Sequence, residues 1–461
     1  MLDKAMKINL LGYAFLSFVS FTYLMLHEYT GISIPIFAVI QFVCLYFIIP
    51  DKKSLWLFIP IFILSLNSFI SGNEMFRAFN VIISVVLYSV MLCGVDFFDT
   101  SMRYFIKILK NIVRPLKHFS LPFKWCLRAE REKIKIFQRV LVGIAISVPV
   151  LYVLVILLAS ADAVFLHSIR GFLDGIYSIV DSLTLIKILF GMIVGLYLFG
   201  LLYSAHQPKA SETETPEKIG RGDVIILNVV LTAMLAVYTI FIFIQFRYLF
   251  AGASLPYGLS YTDYARRGFF ELLFLSGVNI FTILLMCNMT KNRRGLGAKI
   301  IKYLCLYLCS VTVVLLVSSF YRMSLYSASD GLTRLRFMVY GFLIFECLGL
   351  LLTFYWILRP KFNIITAYLS IGLVYYLLLN LVPMDYFIAK DQVDRYLCGR
   401  RPDIHYALTL SPDAAPQIRR LLGTDADLDA QIYFSELRHN NDSNTSWRGF
   451  NLSMFRGGRQ P

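Results

Sequence analysis

Charge is scarce in this sequence. Only 16% of its 461 residues are Asp, Glu, Lys or Arg, against about 25% in an ordinary soluble domain. With 58% hydrophobic residues and a mean hydropathy of +0.66, the chain cannot cover a globule with a water-facing surface. Metal-binding and redox patterns are missing as well. Of eight cysteines, Cys44, Cys93, Cys287, Cys305, Cys309 and Cys347 sit inside apolar runs, and no CxxC pair occurs, so neither zinc nor a disulfide framework is indicated. The six histidines are scattered without metal-ligand spacing. There is no GxSxG, P-loop or HExxH motif. No catalytic, cofactor-binding or metal residue is therefore assigned. The first apolar run, Ile8 to Leu26, is followed by His27-Glu28-Tyr29 rather than by a small-residue cleavage site, and reads as an uncleaved span.

Long apolar runs are what the chain has in abundance. Crossing a bilayer takes about 20 apolar residues, and a spanning backbone must satisfy its own hydrogen bonds. Runs of that kind occur at Ile8–Leu26, Ile32–Ile49, Leu55–Ile70, Phe79–Phe97, Val140–Ser160, Leu183–Tyr203, Val224–Phe246, Phe269–Asn288, Ile301–Phe320, Phe337–Ile357 and Phe362–Val382. The expected fold is an all-α integral membrane helix bundle of about 11 transmembrane helices, with a small helical extracytoplasmic C-terminal region. Four parts follow: a four-span block at 1–98, a basic cytoplasmic loop at 99–139, a seven-span core at 140–382 and the C-terminal region at 383–461.

The net charge of +15 is read as topology, with no nucleic acid as partner. With the N-terminus in the cytoplasm, 25 of the 44 Lys and Arg fall in inside segments, nine at the outside and ten in the C-terminal region, as the positive-inside bias requires. Within the loop, Met102, Phe105, Ile106, Leu109, Ile112, Val113 and Leu116 recur at helical spacing, with Arg103, Lys107, Lys110, Arg114 and Lys117 between them. Residues 102–117 read as a basic amphipathic helix on membrane lipid, against the anionic cytoplasmic leaflet. In the C-terminal region, Ser411-Pro412 predicts a helix start and Gly423 its stop; 425–437 predicts another helix.

Ionisable residues inside spans are costly and become candidates. Glu346 lies near the middle of its span; Lys187, near an edge, can snorkel. Asp162, Arg247, Arg266, Arg267, Glu271, Arg322, Asp330, Arg334 and Arg336 gather at the outer face, where topology disfavours arginine. One reading is a cation-rich cavity for an anionic ligand or a protein partner. The other is that these arginines pair with Asp162, Glu271 and Asp330 to close the bundle.

Four stretches carry a family resemblance: LLASADAVF at 157–165; IQFRYLF at 244–250 with SYTDYARRGFFELL at 260–273; YSASDGLTRLRF at 326–337; and MDYFIAKDQVDRYL, DIHYALTLSPDAAPQI and WRGFNLSMFR in the tail. Together they resemble the multi-spanning membrane proteins of the DUF4173 and DUF4153 group, over about residue 140 to the end. Met384-Asp385 departs from the Asn-Pro-Asp-like turn of that pattern, and Asp391-Gln392 stands where it has Asn. The resemblance implies a bacterial cytoplasmic (inner) membrane protein and carries no activity. The expectation is a non-enzymatic binding or sensing component of the cell envelope. The alternative is a transporter or lipid-handling protein using Glu346 and the outer arginines.

Overall fold

The computed structural model describes residues 3–27, 29–49, 52–93, 110–127, 182–207, 223–245, 269–290, 295–360, 362–400, 403–443 and 446–458, and the single positions 143, 147, 151 and 154. Among them there is no strand. Nine helices are long and apolar enough to cross a membrane, and Ser33–Ile48 is a shorter apolar one. These ten coincide with ten of the eleven expected spans. Val140–Ser160 lies outside the described residues except at the four single positions, all helical. The chain is a multi-pass membrane protein. Its contacts divide it into two compact units, one of residues 1–210 with 440–456, the other of 211–439 with 457–461. The boundary expected at residue 140 falls outside the described residues.

Unit 1 contains α1 (Lys4–Leu24), α2 (Ser33–Ile48), α3 (Phe58–Ile70), α4 (Glu74–Cys93), a short α5 (Leu121–Leu127) and α6 (Ser182–Ala205). In a membrane, helix association relies on close packing rather than on the hydrophobic effect, which favours small residues at contacts. Gly191 and Gly195 of α6 show this: a Cβ at Gly195 would sit 2.9 Å from Phe18 Cβ and 3.0 Å from the Ala14 carbonyl oxygen. The GxxxG spacing thus seats α1 directly on α6.

The two ends of unit 1 differ. At one end Lys7 lies over the Trp125 ring and Lys52 over Tyr46. His206 bonds the Ile48 carbonyl at 3.1 Å. Tyr197 donates to the Ile112 carbonyl at 3.0 Å. The described part of the basic loop belongs here. It is α-helical over 110–113 and becomes a 3-10 turn at Arg114–His118, so the amphipathic helix expected to run through 117 changes form at Pro115, which lacks a donor for an α-helical bond. Residues 101–109 lie outside the described residues.

At the other end, the segment 446–456 ties α1, α2 and α3 together. Arg448 donates to the Tyr23 carbonyl at 2.9 Å and its guanidinium lies over the Tyr23 ring. Gly31 and Ile32 donate backbone bonds to the carbonyls of Arg448 and Phe450, each 3.0 Å. Asn451 Nδ2 donates to the carbonyls of Ser68 (3.0 Å) and Ser71 (2.8 Å) at the C-terminus of α3. These carbonyls end a helix and have no intrahelical donor.

Unit 2 holds α7 (Val224–Gln245), α8 (Phe269–Thr290), α9 (Leu296–Asp330), α10 (Arg334–Leu358) and α11 (Ile364–Leu381), followed by α12 (Met384–Leu397), α13 (Ile404–Leu408), α14 (Ala415–Ile418) and most of α15 (Asp427–Ser443); α16 (Leu452–Gly458) falls mostly in unit 1. One apolar cluster joins α7 through α10. The expected helix after Ser411 is present as consecutive turns, 3-10 at Pro412–Ala414, α at Ala415–Ile418 and 3-10 at Arg419–Leu421, stopping before Gly423 with φ +78°. Ser411 Oγ does not cap it; the hydroxyl donates to Asp413 at 3.3 Å instead.

Candidate functional site

The hairpin between α9 and α10 is the centre of the charged end of unit 2. Its three-residue turn, Gly331-Leu332-Thr333, opens α10 with Thr333 as N-cap, its side chain accepting from Arg336 N. Helix α12 grips this turn from outside. Asp391 accepts from Leu332 N at 2.7 Å, and Gln392 Nε2 donates to the Leu332 carbonyl at 2.7 Å. Arg395 Nη1 and Nη2 donate to the carbonyls of Ala328 (2.8 Å) and Ser327 (2.9 Å), which lie in the last turn of α9, and its Nε bonds Asp391 at 3.0 Å. A cation at a helix C-terminus satisfies orphan carbonyls and matches the helix dipole.

Arg334 and Arg336 are both engaged. Arg334 makes a two-pronged pair with Asp385, Nε to Oδ1 at 2.9 Å and Nη2 to Oδ2 at 2.7 Å. Asp385 is fully buried by side chain, while Arg334 keeps 32% exposure. Asp385 also accepts from Ser411 N at 3.0 Å, and Arg334 N donates to the Tyr406 hydroxyl at 2.8 Å. Burial pushes the Asp385 carboxyl up, but the bonds from Arg334 and Ser411 outweigh it and hold the group below its ordinary range. Arg336 bonds the Gly331 carbonyl, pairs with Asp330 at 3.3 Å and stacks over Tyr326. The carboxylate facing Arg334 is thus Asp385 rather than one of the three acids named from sequence.

The other candidates are placed as follows. Arg322 is buried in α9, eight residues before Asp330 and about 12 Å below it along the helix. Glu271 is exposed in the first turn of α8. Asp162, Arg247, Arg266 and Arg267 lie outside the described residues.

Glu346 stands apart from this end. It is 12 residues into α10, about 18 Å from Arg334 along the axis, and buried. On its own face of α10, Val339 and Leu343 are buried between it and Arg336. Ser276 Oγ lies 2.6 Å from Glu346 Oε2 and also 2.6 Å from the Leu273 carbonyl oxygen. One hydroxyl proton serves two acceptors there, and both contacts are satisfied when the Glu346 carboxyl carries a proton of its own. One turn along α8 from Ser276, Asn279 accepts from Tyr238 of α7 at Oδ1 at 2.8 Å and donates to Thr312 of α9 at 3.2 Å.

The family described as "Domain of unknown function (DUF4153)" matches residues 58–421. The chain belongs to this family. The match begins in α3, well before residue 140 where the sequence motifs first point to it, and ends at Leu421, so this DUF4153 protein carries the hairpin turn and its α12 grip within the shared region, and the segment 446–456 beyond it. No curated protein and no solved structure matches the chain.

Proposed function

We propose that this DUF4153 protein is a non-enzymatic binding or sensing component of a bacterial cytoplasmic membrane, whose extracytoplasmic lobe, residues 384–421, is rigidly geared to the α9–α10 hairpin. The observation that carries this reading is the grip on Leu332 of the turn by Asp391 and Gln392, together with the pairing of Asp385 with Arg334 at the start of α10. A displacement of the lobe by a protein partner or an anionic ligand is transmitted to two membrane-spanning helices through charged, two-pronged bonds rather than through a loose tether.

Sidedness supports it. The tail segment 446–456 sits at the far end of α1 from Lys4. Opposite ends require an odd number of crossings; among the described residues nine helices are long enough to cross, and the shorter apolar α2, counted with them, makes an even ten. One further crossing, at the expected Val140–Ser160, completes an N-terminus-inside, C-terminus-outside arrangement. The end bearing Lys7, Lys52 and 110–118 then faces the anionic cytoplasmic leaflet, residues 102–117 included. Alkaline phosphatase fused after Pro461 is expected to be active and the same enzyme fused after Gln207 inactive; the reverse pattern would refute the orientation.

The transport reading draws on the buried polar set of Glu346, Ser276, Asn279 and Thr312, and requires water to reach Glu346. In the binding and sensing reading Glu346 is a neutral, sealed hydrogen-bonding group. A water-soluble carbodiimide with an added amine is expected to modify the exposed Glu271 and Glu436 and to leave Glu346 unmodified by peptide mass spectrometry. Modification of Glu346 at a comparable rate would replace the sensing reading with transport.

A further inference from the structure

Unit 1 contains a cavity of about 340 Å³ between α1, α2, α3, α4 and α6, lined by residues such as Phe37, Leu64, Val85, Phe190 and Leu198. Its volume is roughly twice that of an engineered cavity that takes up benzene. It is also long. Its lining runs along α3 from Phe58 to Ser68, about 15 Å of helix. A space that extended and that apolar suits one hydrocarbon chain.

The cavity has a polar feature that packing does not require. Gln41 lines it and is only 3% exposed. Ser17 Oγ donates to Gln41 Oε1 at 3.2 Å. Gln41 Nε2 has no hydrogen-bond partner among the described residues. A buried amide donor left unpaired costs about 1–3 kcal/mol, and in a bilayer no solvent relieves it. Gln41 lies eight residues into α2, about 12 Å from its start, near the middle of the helix rather than at either end.

We infer that unit 1 is a binding site for a single chain-bearing lipid whose carbonyl oxygen accepts a hydrogen bond from Gln41 Nε2. Two kinds of molecule share that chemistry: an acyl ester and a prenylated quinone. The inference concerns unit 1 alone and does not depend on the role proposed for the lobe of unit 2.

The test uses the full chain in nanodiscs with two diazirine-bearing probes, a monoacylglycerol and a short-chain prenyl quinone, mapped by peptide mass spectrometry. Labelling by at least one probe is expected to concentrate on Phe37, Leu64 and Leu198. It should exceed labelling of Val39 and Val43, which are exposed on the same helix α2. Which probe labels tells ester from quinone. Gln41→Leu should lower cavity labelling about fivefold, the worth of one neutral hydrogen bond, and Ala38→Trp should abolish it by filling the space. Should Ala38→Trp fail to fold, Gln41→Leu decides alone. Cavity labelling no higher than at Val39 and Val43 with both probes, meaning surrounding bilayer lipid only, would overturn the inference, as would equal labelling in Gln41→Leu and the parent chain.

Discussion

Replacing Asp385 with alanine is expected to destabilise unit 2 by about 2–4 kcal/mol, read as a lower midpoint of unfolding in detergent. Removing one partner of a buried ion pair typically costs about 3–5 kcal/mol, because the survivor is left uncompensated. Arg334 retains 32% side-chain exposure, so water relieves part of its loss and the expectation is set lower. Ser411 N loses its acceptor in the same change. The double variant Arg334→Met with Asp385→Leu should be less damaged than Asp385→Ala, since it leaves no orphaned charge. A double variant as unstable as the single would show that the segment around Asp385 is held by apolar packing instead. The pair also sets a pH dependence. Asp385 is held below its ordinary value in the folded state. A depressed carboxylate contributes stability above its unfolded pKa, and that contribution disappears as pH falls through the folded value. The contribution should therefore be flat from neutrality down to about pH 5 and lost below about pH 4, with the acid loss absent in Arg334→Met.

Gly331→Ala should be comparably severe, at about 2–4 kcal/mol. Gly331 has φ +79° and ψ 178°, a region open in practice only to glycine and costing other residues about 1–3 kcal/mol. Its Cβ would also lie 2.6 Å from Gln392 Nε2, forcing aside the amide that bonds the Leu332 carbonyl. Gln392→Ala in the Gly331→Ala background removes the overlap and leaves the backbone strain, so it should recover only part of the loss, measured by the same unfolding assay. Full recovery would mean that the turn tolerates a side chain at this φ.

Both predictions fall on residues whose importance is unevenly visible in sequence. The turn itself is legible, because Gly-Leu-Thr between two apolar runs combines a helix stop with an N-cap. The spans are legible for the plain reason that hydropathy over about 20 residues reports bilayer crossing. Helix α9 shows where that reasoning stops. Its apolar run predicts an end near Phe320, yet the helix continues to Asp330, 35 residues in all. The polar last turns persist because Arg336 and Arg395 satisfy them from other helices, information that hydropathy does not hold. Pairing is obscured in the same way. Asp385 stands 51 positions from Arg334, and only the placement of α12 over the turn makes it the partner in place of Asp330. The cavity of unit 1 had no sequence signal beyond a glutamine in an apolar run, and one glutamine does not announce an empty volume beside it.

The fastening of α1, α2 and α3 by residues 446–456 has a consequence for biogenesis. The first four helices are finished by residue 93 and their clasp begins at 446. At a synthesis rate of roughly 5–20 residues per second, these helices wait on the order of tens of seconds for it. During that interval the carbonyls of Ser68 and Ser71 and the amides of Gly31 and Ile32 lack their final partners. Unit 1 reaches its finished form only after translation has passed through residues 211–439 of unit 2, so a prematurely terminated chain leaves its earliest helices unlatched and open to membrane proteases.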